Sequence, residues 1–344
     1  MLMEFAIATI IRSAKFMMPR LRYIYGLVIV VQLLAAPPAI AAKTLNVITS
    51  LSSSDPMYAG LVRFKQEVET QSQGSLAIRI FIGSQLGNDS DMLEQAILGA
   101  NVAVLADGGR LAVYQHELGI LGAPYLVQNQ AQLKQLTRSA LFQSWADKLA
   151  ARAGLHIFSF NWWQGARHLL TQHAVVEPAD LAGIRMRTIG APVWIETIAA
   201  MGATPTPLAW AEVYSGLQQQ VIDAAEAQFT GMWGARLYEV VSHVTKTGHI
   251  QLISGLVGSE SWFQSLSPAQ QQVISQAAVT AGEYASQQVR QAEAAIEQQL
   301  TAQGIMVSTP DISRFEQVTK PVYQRLDYAA LYDEVRTYLT GSDQ

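Results

Sequence analysis

The sequence predicts an α/β fold arranged in two lobes, and three observations carry that expectation. Over residues 43–107, short β-prone runs alternate with helix-patterned runs, the order that makes a mostly parallel sheet. Between residues 180 and 233 two strand-like runs end on charged side chains, Arg187 on the first and Glu226 on the second, separated by a proline-broken loop and a short aromatic helix. Farther on, the run from His249 is long enough to pass from one lobe to the other, and a helix pattern begins at Ser267 with no clear stop before Gly304. In an open α/β sheet the residues beyond the strand ends line the crevice where ligands bind. The crevice near residues 180–233 is therefore expected to hold a small organic anion, with Arg187 as its principal counter-charge.

Composition bounds the alternatives. The chain has 344 residues, half of them apolar and 15% charged, enough for a large core or two lobes and unlike a disordered chain. The net charge is -4 and no basic run occurs, which argues against a nucleic-acid partner. The absence of cysteine excludes thiol nucleophiles, disulfides, thiolate metal sites and a lipid-modified cysteine anchor. The histidines lack the paired spacing of a metal-binding helix, and no phosphate loop or nucleophile elbow is present. No cofactor, no metal and no enzymatic activity are expected.

Taken in order, residues 1–42 read as an export signal. Arg20 and Arg22 precede an apolar run from Tyr25 to Val31, and Ala39-Ile40-Ala41 supplies small residues for cleavage. The run falls short of the ~20 apolar residues of a membrane span. Glu4 before the basic region points to Met17 or Met18 as an alternative start. The mature chain opens with a strand at 45–49, an amphipathic helix over 57–72, a strand at 76–81, a turn at 85–89 capping a helix over 92–98, and a buried-strand run at 102–106 ending on Asp107-Gly108-Gly109. A helix over 136–153 precedes a strand at 155–161 that ends in Trp162-Trp163-Gln164-Gly165-Ala166-Arg167, where the chain crosses between lobes. Residues 233–241 read as helical. Ser267-Pro268-Ala269-Gln270 combines an N-cap serine, a first-turn proline and a third-position glutamine, a strong helix start. That helix would be ~55 Å long at 1.5 Å per residue, with Gly282 as the place for a bend. The tail over 312–338 is helical and interrupted at Pro321. The expected lobes are 43–164 with 253–292, and 165–252 with 293–344.

The chain resembles the solute-binding proteins of tripartite ATP-independent periplasmic (TRAP) transporters, the DctP type. The markers are Ser84-Gln85-Leu86-Gly87, Glu117-Leu118-Gly119-Ile120-Leu121 with Pro124-Tyr125, Gly165-Ala166-Arg167, Leu181-Ala182-Gly183-Ile184-Arg185-Met186-Arg187, Gly202-Ala203-Thr204-Pro205-Thr206-Pro207, Ala211-Glu212-Val213-Tyr214 with Leu217-Gln218, and Lys320-Pro321-Val322-Tyr323. Each alone is weak; their order and spacing together are specific. The resemblance implies a two-lobed periplasmic binding protein fold with crossing strands and a long lobe-spanning helix. It further implies a ligand closed between the lobes and delivery to a membrane permease driven by an ion gradient. By resemblance Arg187 pairs with the substrate carboxylate, Arg167 is a second arginine at the site, Trp210 is an aromatic against the ligand, and Asp107 and Asp89 are polar contacts. The sequence departs from the pattern at Ala225-Glu226-Ala227, where many members carry glutamine, glutamate and asparagine. Alanine at 227 removes an amide, and Gln228 stands next to it.

Each candidate has a structural alternative. Arg187 offers a planar guanidinium for two parallel bonds to a carboxylate, or a structural ion pair with Glu212 or Glu226. Arg185, two residues earlier on the same strand face, reads as solvated. Arg167 follows Gly165, which allows close backbone approach; the alternative is a surface arginine at the lobe junction. Trp210 lies at helical core spacing with Val213, Tyr214 and Leu217. Trp162 and Trp163 read as hinge packing or cleft wall. Asp89 is equally a helix cap and Asp107 a turn residue. Glu226 reads as a buried hydrogen-bond organiser, and His168 and His173 as surface residues. The reading is an exported monomer that binds a small organic acid and docks on a permease. Its rivals are a periplasmic sensor module and a hydrolase or lyase using Asp223 and Glu226.

Overall fold

The computed structural model describes residues 42–341, so the expected export signal lies almost wholly outside the described residues. The first sheet is built from β1 (Lys43–Ile48), β2 (Leu76–Phe81) and β3 (Val102–Asp107), with α1 (Pro56–Gln71) and α2 (Asp89–Ile97) as the crossovers. Asp55 caps α1 by accepting from the Met57 amide, and Asn88 rather than Asp89 caps α2, in a reciprocal box with Asp91. Past β3 come a single-turn helix, α3 (Gly108–Leu111), and a 3-10 segment, His116–Gly122. The helix expected over 136–153 is α5 (Ala140–Ala153), starting later because Ser139 caps it by accepting from the Phe142 amide, and a separate α4 (Gln130–Leu136) precedes it.

β4 (Leu155–Ala166) runs through the tryptophan pair and leaves the first sheet, and β5 (His168–Thr171) opens the second. The second sheet gathers β6 (Arg185–Thr188), α6 (Pro192–Ala200), β7 (Thr204–Pro207), α7 (Val213–Gln218) and β8 (Ala224–Ala227). Residues 233–241 are not one helix: α8 (Phe229–Gly234) ends there and a 3-10 turn, Leu237–Glu239, follows. After the short β9 (His243–Thr245), β10 (Gln251–Ser259) returns to the first sheet, and α9 (Glu260–Gln264) leads into α10 (Pro268–Ala302). The Ser267 start forms as the sequence predicts, with both arms of its capping box made. The chain ends with β11 (Met306–Ser308), α11 (Ile312–Thr319), α12 (Pro321–Arg325) and α13 (Ala329–Gly341).

The first sheet has the order β2-β1-β3-β10-β4. β1 is parallel to β2 and β3, and β10 is antiparallel to β3 and β4. The second has the order β11-β9-β5-β8-β6-β7, with β6 parallel to β7 and β8. β4 and β10 are thus the strands of the first sheet that meet the crossover. Their pairing skips a residue where Leu252 faces Gly165 and Ile253 faces Trp163, so Gln164 bulges out of the ladder. Gly165, at φ +110, supplies the left-handed backbone there.

The 35-residue α10 packs on α1 and β4 through small residues. A Cβ on Gly60 would lie 2.5 Å from the Ala285 Cβ, so α1 and α10 cross in close contact. Gly282, the expected bend, lies inside one unbroken helix. Its role is packing, since a Cβ there would lie 2.4 Å from Asn161 Oδ1 and 2.9 Å from the Trp162 ring. The first core holds Leu45, Phe64, Trp162 and Ala281, and it also takes Val322, Tyr328, Val335 and Leu339 from the C-terminal helices. Of these helices α13 packs on α4 and the 3-10 segment His116–Gly122, α12 on α6, while α11 gives Phe315 to a separate core with Leu169 and Met186. Two smaller cores flank the second sheet. Among the described residues no helix is long and apolar enough to cross a membrane.

Candidate ligand-binding site

A cavity of about 50 Å³ lies between the ends of the two sheets. The first sheet contributes Thr49 and Ser50 after β1, Asp89 at the start of α2, and Asp107 at the end of β3. Asp107 caps α3 by accepting from the Arg110 amide at 3.0 Å. The Arg110 side chain folds back onto the Asp107 carboxylate and reaches Asp89 Oδ2 at 3.4 Å. Ser50 Oγ donates to the same Asp89 oxygen at 3.0 Å. Burial pushes the Asp89 carboxyl up, with Arg110 pulling against it. Burial alone would lower Arg110, but Asp107 and Asp89 hold it above its ordinary value.

From the crossover come Gln164 and Arg167. The bulge turns Gln164 inward, where its Nε2 donates to Ser254 Oγ at 2.7 Å. Arg167 is 4% exposed and held from behind: Nε donates to Glu226 Oε2, one terminal nitrogen to Gln228 Oε1 at 2.7 Å, and the other to the Glu226 carbonyl at 2.5 Å, which leaves two of its five N–H donors uncommitted. Its guanidinium carbon lies 4.6 Å from the centre of the Trp194 ring. Glu226 is completely buried and does not line the cavity. It sits behind Arg167 as an organiser, so its place among the ligand contacts is corrected. His249 Nε2 approaches it at 3.9 Å, and burial holds His249 well below the usual histidine range, so it stays neutral.

Arg187 is different. At the end of β6 it is 1% exposed, and its Nε donates to the Leu208 carbonyl at 3.0 Å. Its guanidinium carbon lies 5.3 Å from the centre of the Trp210 ring. Among the described residues it makes no ion pair, with Glu212, Glu226 or any other carboxylate. Burial pulls its pKa down to about 9, with Glu226 and Asp89 pulling the other way from beyond contact distance, so at neutral pH it remains a cation without a direct ion pair among the described residues. The cavity thus holds or adjoins three guanidiniums and three carboxylates. Arg110 takes Asp89 and Asp107, Arg167 takes Glu226, and Arg187 takes none.

The structure brings Arg187, Arg167, Trp210, Asp107 and Asp89 onto one wall system. Trp210 is half-buried in the 3-10 turn Trp210–Glu212, on that wall and packed against the second core with Val213 and Leu217. Arg185 is solvated as expected, its Nη2 2.7 Å from Asp223 Oδ1. That pairing also separates Asp223, on the surface before β8, from Glu226, buried at its far end, so the two do not form an acid–base pair. His168 is buried, not a surface residue: its Nδ1 accepts from the Gly248 amide at 3.1 Å and burial lowers its pKa to about 3. Trp162 and Trp163 are core residues outside the cavity. Pattern reading missed Arg110, Gln164 and Trp194 and left Gln228 open. The Asp107/Arg110 spacing at a strand end was a usable signal; the bulge that aims Gln164 was not, because it depends on the β10 register.

Against known proteins, residues 48–329 match the family described as bacterial extracellular solute-binding protein, family 7 (DctP). The chain is 26% identical over 298 residues to the sialic acid-binding periplasmic protein SiaP of Vibrio cholerae, covering 87% of this chain and 92% of that one. It is 27% identical over 277 residues to the 2,3-diketo-L-gulonate-binding periplasmic protein YiaO of Escherichia coli, covering 80% and 84%. Among solved structures it resembles an apo, open TRAP periplasmic solute-binding protein from Escherichia fergusonii, with 41% identity, a TM-score of 0.76, and coverage of 86% and 100%. It also resembles one from Actinobacillus succinogenes with bound L-galactonate, with 29% identity, a TM-score of 0.84, and coverage of 87% and 100%.

Proposed function

The chain belongs to family 7 of the bacterial extracellular solute-binding proteins, the DctP family, and on that premise we propose that Arg187 and Arg167 present a carboxylate-bearing solute to its interlobe cavity's opposite wall. It is a TRAP-type solute-binding protein for a small organic anion. The observation that carries the reading of the site is Arg187, a buried guanidinium that makes no direct ion pair among the described residues. An isolated buried charge is costly and is normally paired. A ligand carboxylate entering the cavity would supply the missing charge and accept the two parallel bonds that a guanidinium offers.

The opposite wall supports a narrower class. Ser50, Asp89 and Asp107 present acceptor oxygens, which suit ligand hydroxyls. A carboxylate at one end and hydroxyls at the other describe a sugar acid, and the relatives named above bind acids of that kind: L-galactonate in one, 2,3-diketo-L-gulonate in another. Keto acids and dicarboxylates are the neighbouring classes. Capture follows from hinge closure over the anion, favoured by the ligand's preference for the shut state. The loaded protein then docks on its membrane permease, and the leader at residues 1–42 directs export to the periplasm.

A thermal-shift screen over organic acids tests the reading, because a ligand that binds only the folded state raises the melting temperature with concentration. Sugar acids are expected to give the largest shifts. A screen in which no carboxylate shifts the transition, while neutral sugars do, would remove the anion from the account.

A further inference from the structure

Trp194 lines the cavity and carries a buried polar atom with no partner: the side chain is 2% exposed and Nε1 has no hydrogen bond. Three surroundings meet on its ring. One is the Arg167 guanidinium, 4.6 Å from the ring centre. Another is the cavity. The third is a slot between Gly109 and Gly122, where an added Cβ would stand 2.3 Å and 2.6 Å from Nε1. Trp194 follows β6 of the second sheet, whereas both glycines follow β3 of the first. The ring is therefore carried by a helix of the second sheet and seated against the first core, in a slot made by the segment after β3.

The slot has no spare room, and an indole N–H buried without an acceptor is a cost rather than a gain. What the ring contributes to the cavity wall is volume. A ligand long enough to press on the indole has to lift it from between the glycines, which breaks its seat against the first core. A shorter ligand lets it seat. We infer that Trp194 is a specificity-determining residue that sets the upper length of the ligand, by forming part of the cavity wall and coupling ligand length to its own seating between Gly109 and Gly122. The inference rests on the carboxylate reading of the same cavity.

Calorimetric titration of D-erythronate, L-galactonate and the longer sialic acid tests it, in the wild type and in Trp194→Ala, Trp194→Leu and Trp194→Phe. Trp194→Ala and Trp194→Leu are expected to shift the affinity ratio toward the longest acid by tenfold or more. Trp194→Phe keeps most of the ring, drops the unmet N–H, and is expected to keep the wild-type ranking. Gly122→Ala should weaken every acid that the wild type binds by tenfold or more, and adding Trp194→Ala should recover most of that loss. An unchanged ranking in both shortened variants, or no recovery in the double variant, overturns the inference and leaves the carboxylate reading standing. A wild type that binds none of the three acids removes the carboxylate reading and this inference with it.

Discussion

Replacing Arg187 with methionine keeps an unbranched chain beside Trp210 and removes the charge. Burial lowers the guanidinium from its ordinary value to about 9. At ~1.4 kcal/mol per unit, that is roughly 5 kcal/mol opposing the cation in a shut, empty cleft. It is an upper figure, because an open cleft hydrates the group. An anion that pairs with Arg187 recovers much of this cost, so the arginine should favour the open form without ligand and the closed form with it. Two effects of Arg187→Met follow. Affinity for the sugar acid found in the screen should fall by a hundredfold or more, about 3 kcal/mol. The ligand-free variant should also close more readily than the wild type and show a smaller radius of gyration by small-angle scattering. A dissociation constant within threefold of wild type, with the ligand-free radius unchanged, would refute the claim that an unpaired cation organises this site.

Three further outcomes follow from the same structure. Glu226→Gln keeps the shape but leaves Arg167 without its buried counter-charge, and should lower stability by about 3 kcal/mol, read as a shift of the urea midpoint at constant slope; an unmoved midpoint would show that the pair contributes nothing net. Burial raises the Asp55 carboxyl from 3.8 to about 6, and its Oδ2 has no partner. The folded state therefore holds this proton where the unfolded state has released it, and the wild type should lose stability as pH rises from about 4 to 6. Asp55→Asn retains the cap on α1 and should be more stable at pH 7.5 by up to roughly 3 kcal/mol, with the gap closing below pH 4; parallel melting curves across that range count against it. Gly282→Ala gains the ~0.5–1 kcal/mol of helix propensity but drives a Cβ to 2.4 Å from Asn161 Oδ1. Overpacking costs ~1–3 kcal/mol, so thermal unfolding should show a net loss.

Features that depend on neighbours in the chain were the readable ones. The start of α10 needs Ser267, Pro268 and Gln270, all within one turn, and it forms as written. The parallel alternation of β1, α1, β2, α2 and β3 follows from apolar periodicity. Local rules failed where two signals overlapped. By pattern Leu136, the last residue of α4, reads as the start of the helix that Ser139 caps, so α4 itself goes unread and α5 is drawn a turn too long. They failed again for His168, a lone polar residue by pattern, which the second sheet buries against Phe229.

By itself the sequence determined which side chains stand at strand ends, including Arg187, Asp107 and Glu226, because strand ends are marked by local periodicity and turn residues. Tertiary structure alone decided which of these charges meet. Arg185 and Arg187 share a strand face, yet Arg185 pairs with Asp223 at the surface while Arg187 is buried beside the cavity without a counter-ion. Pairing and burial are properties of the space between two sheets, and that space is set by contacts between residues far apart in the chain, such as Arg167 with Glu226 and Trp194 with Gly122.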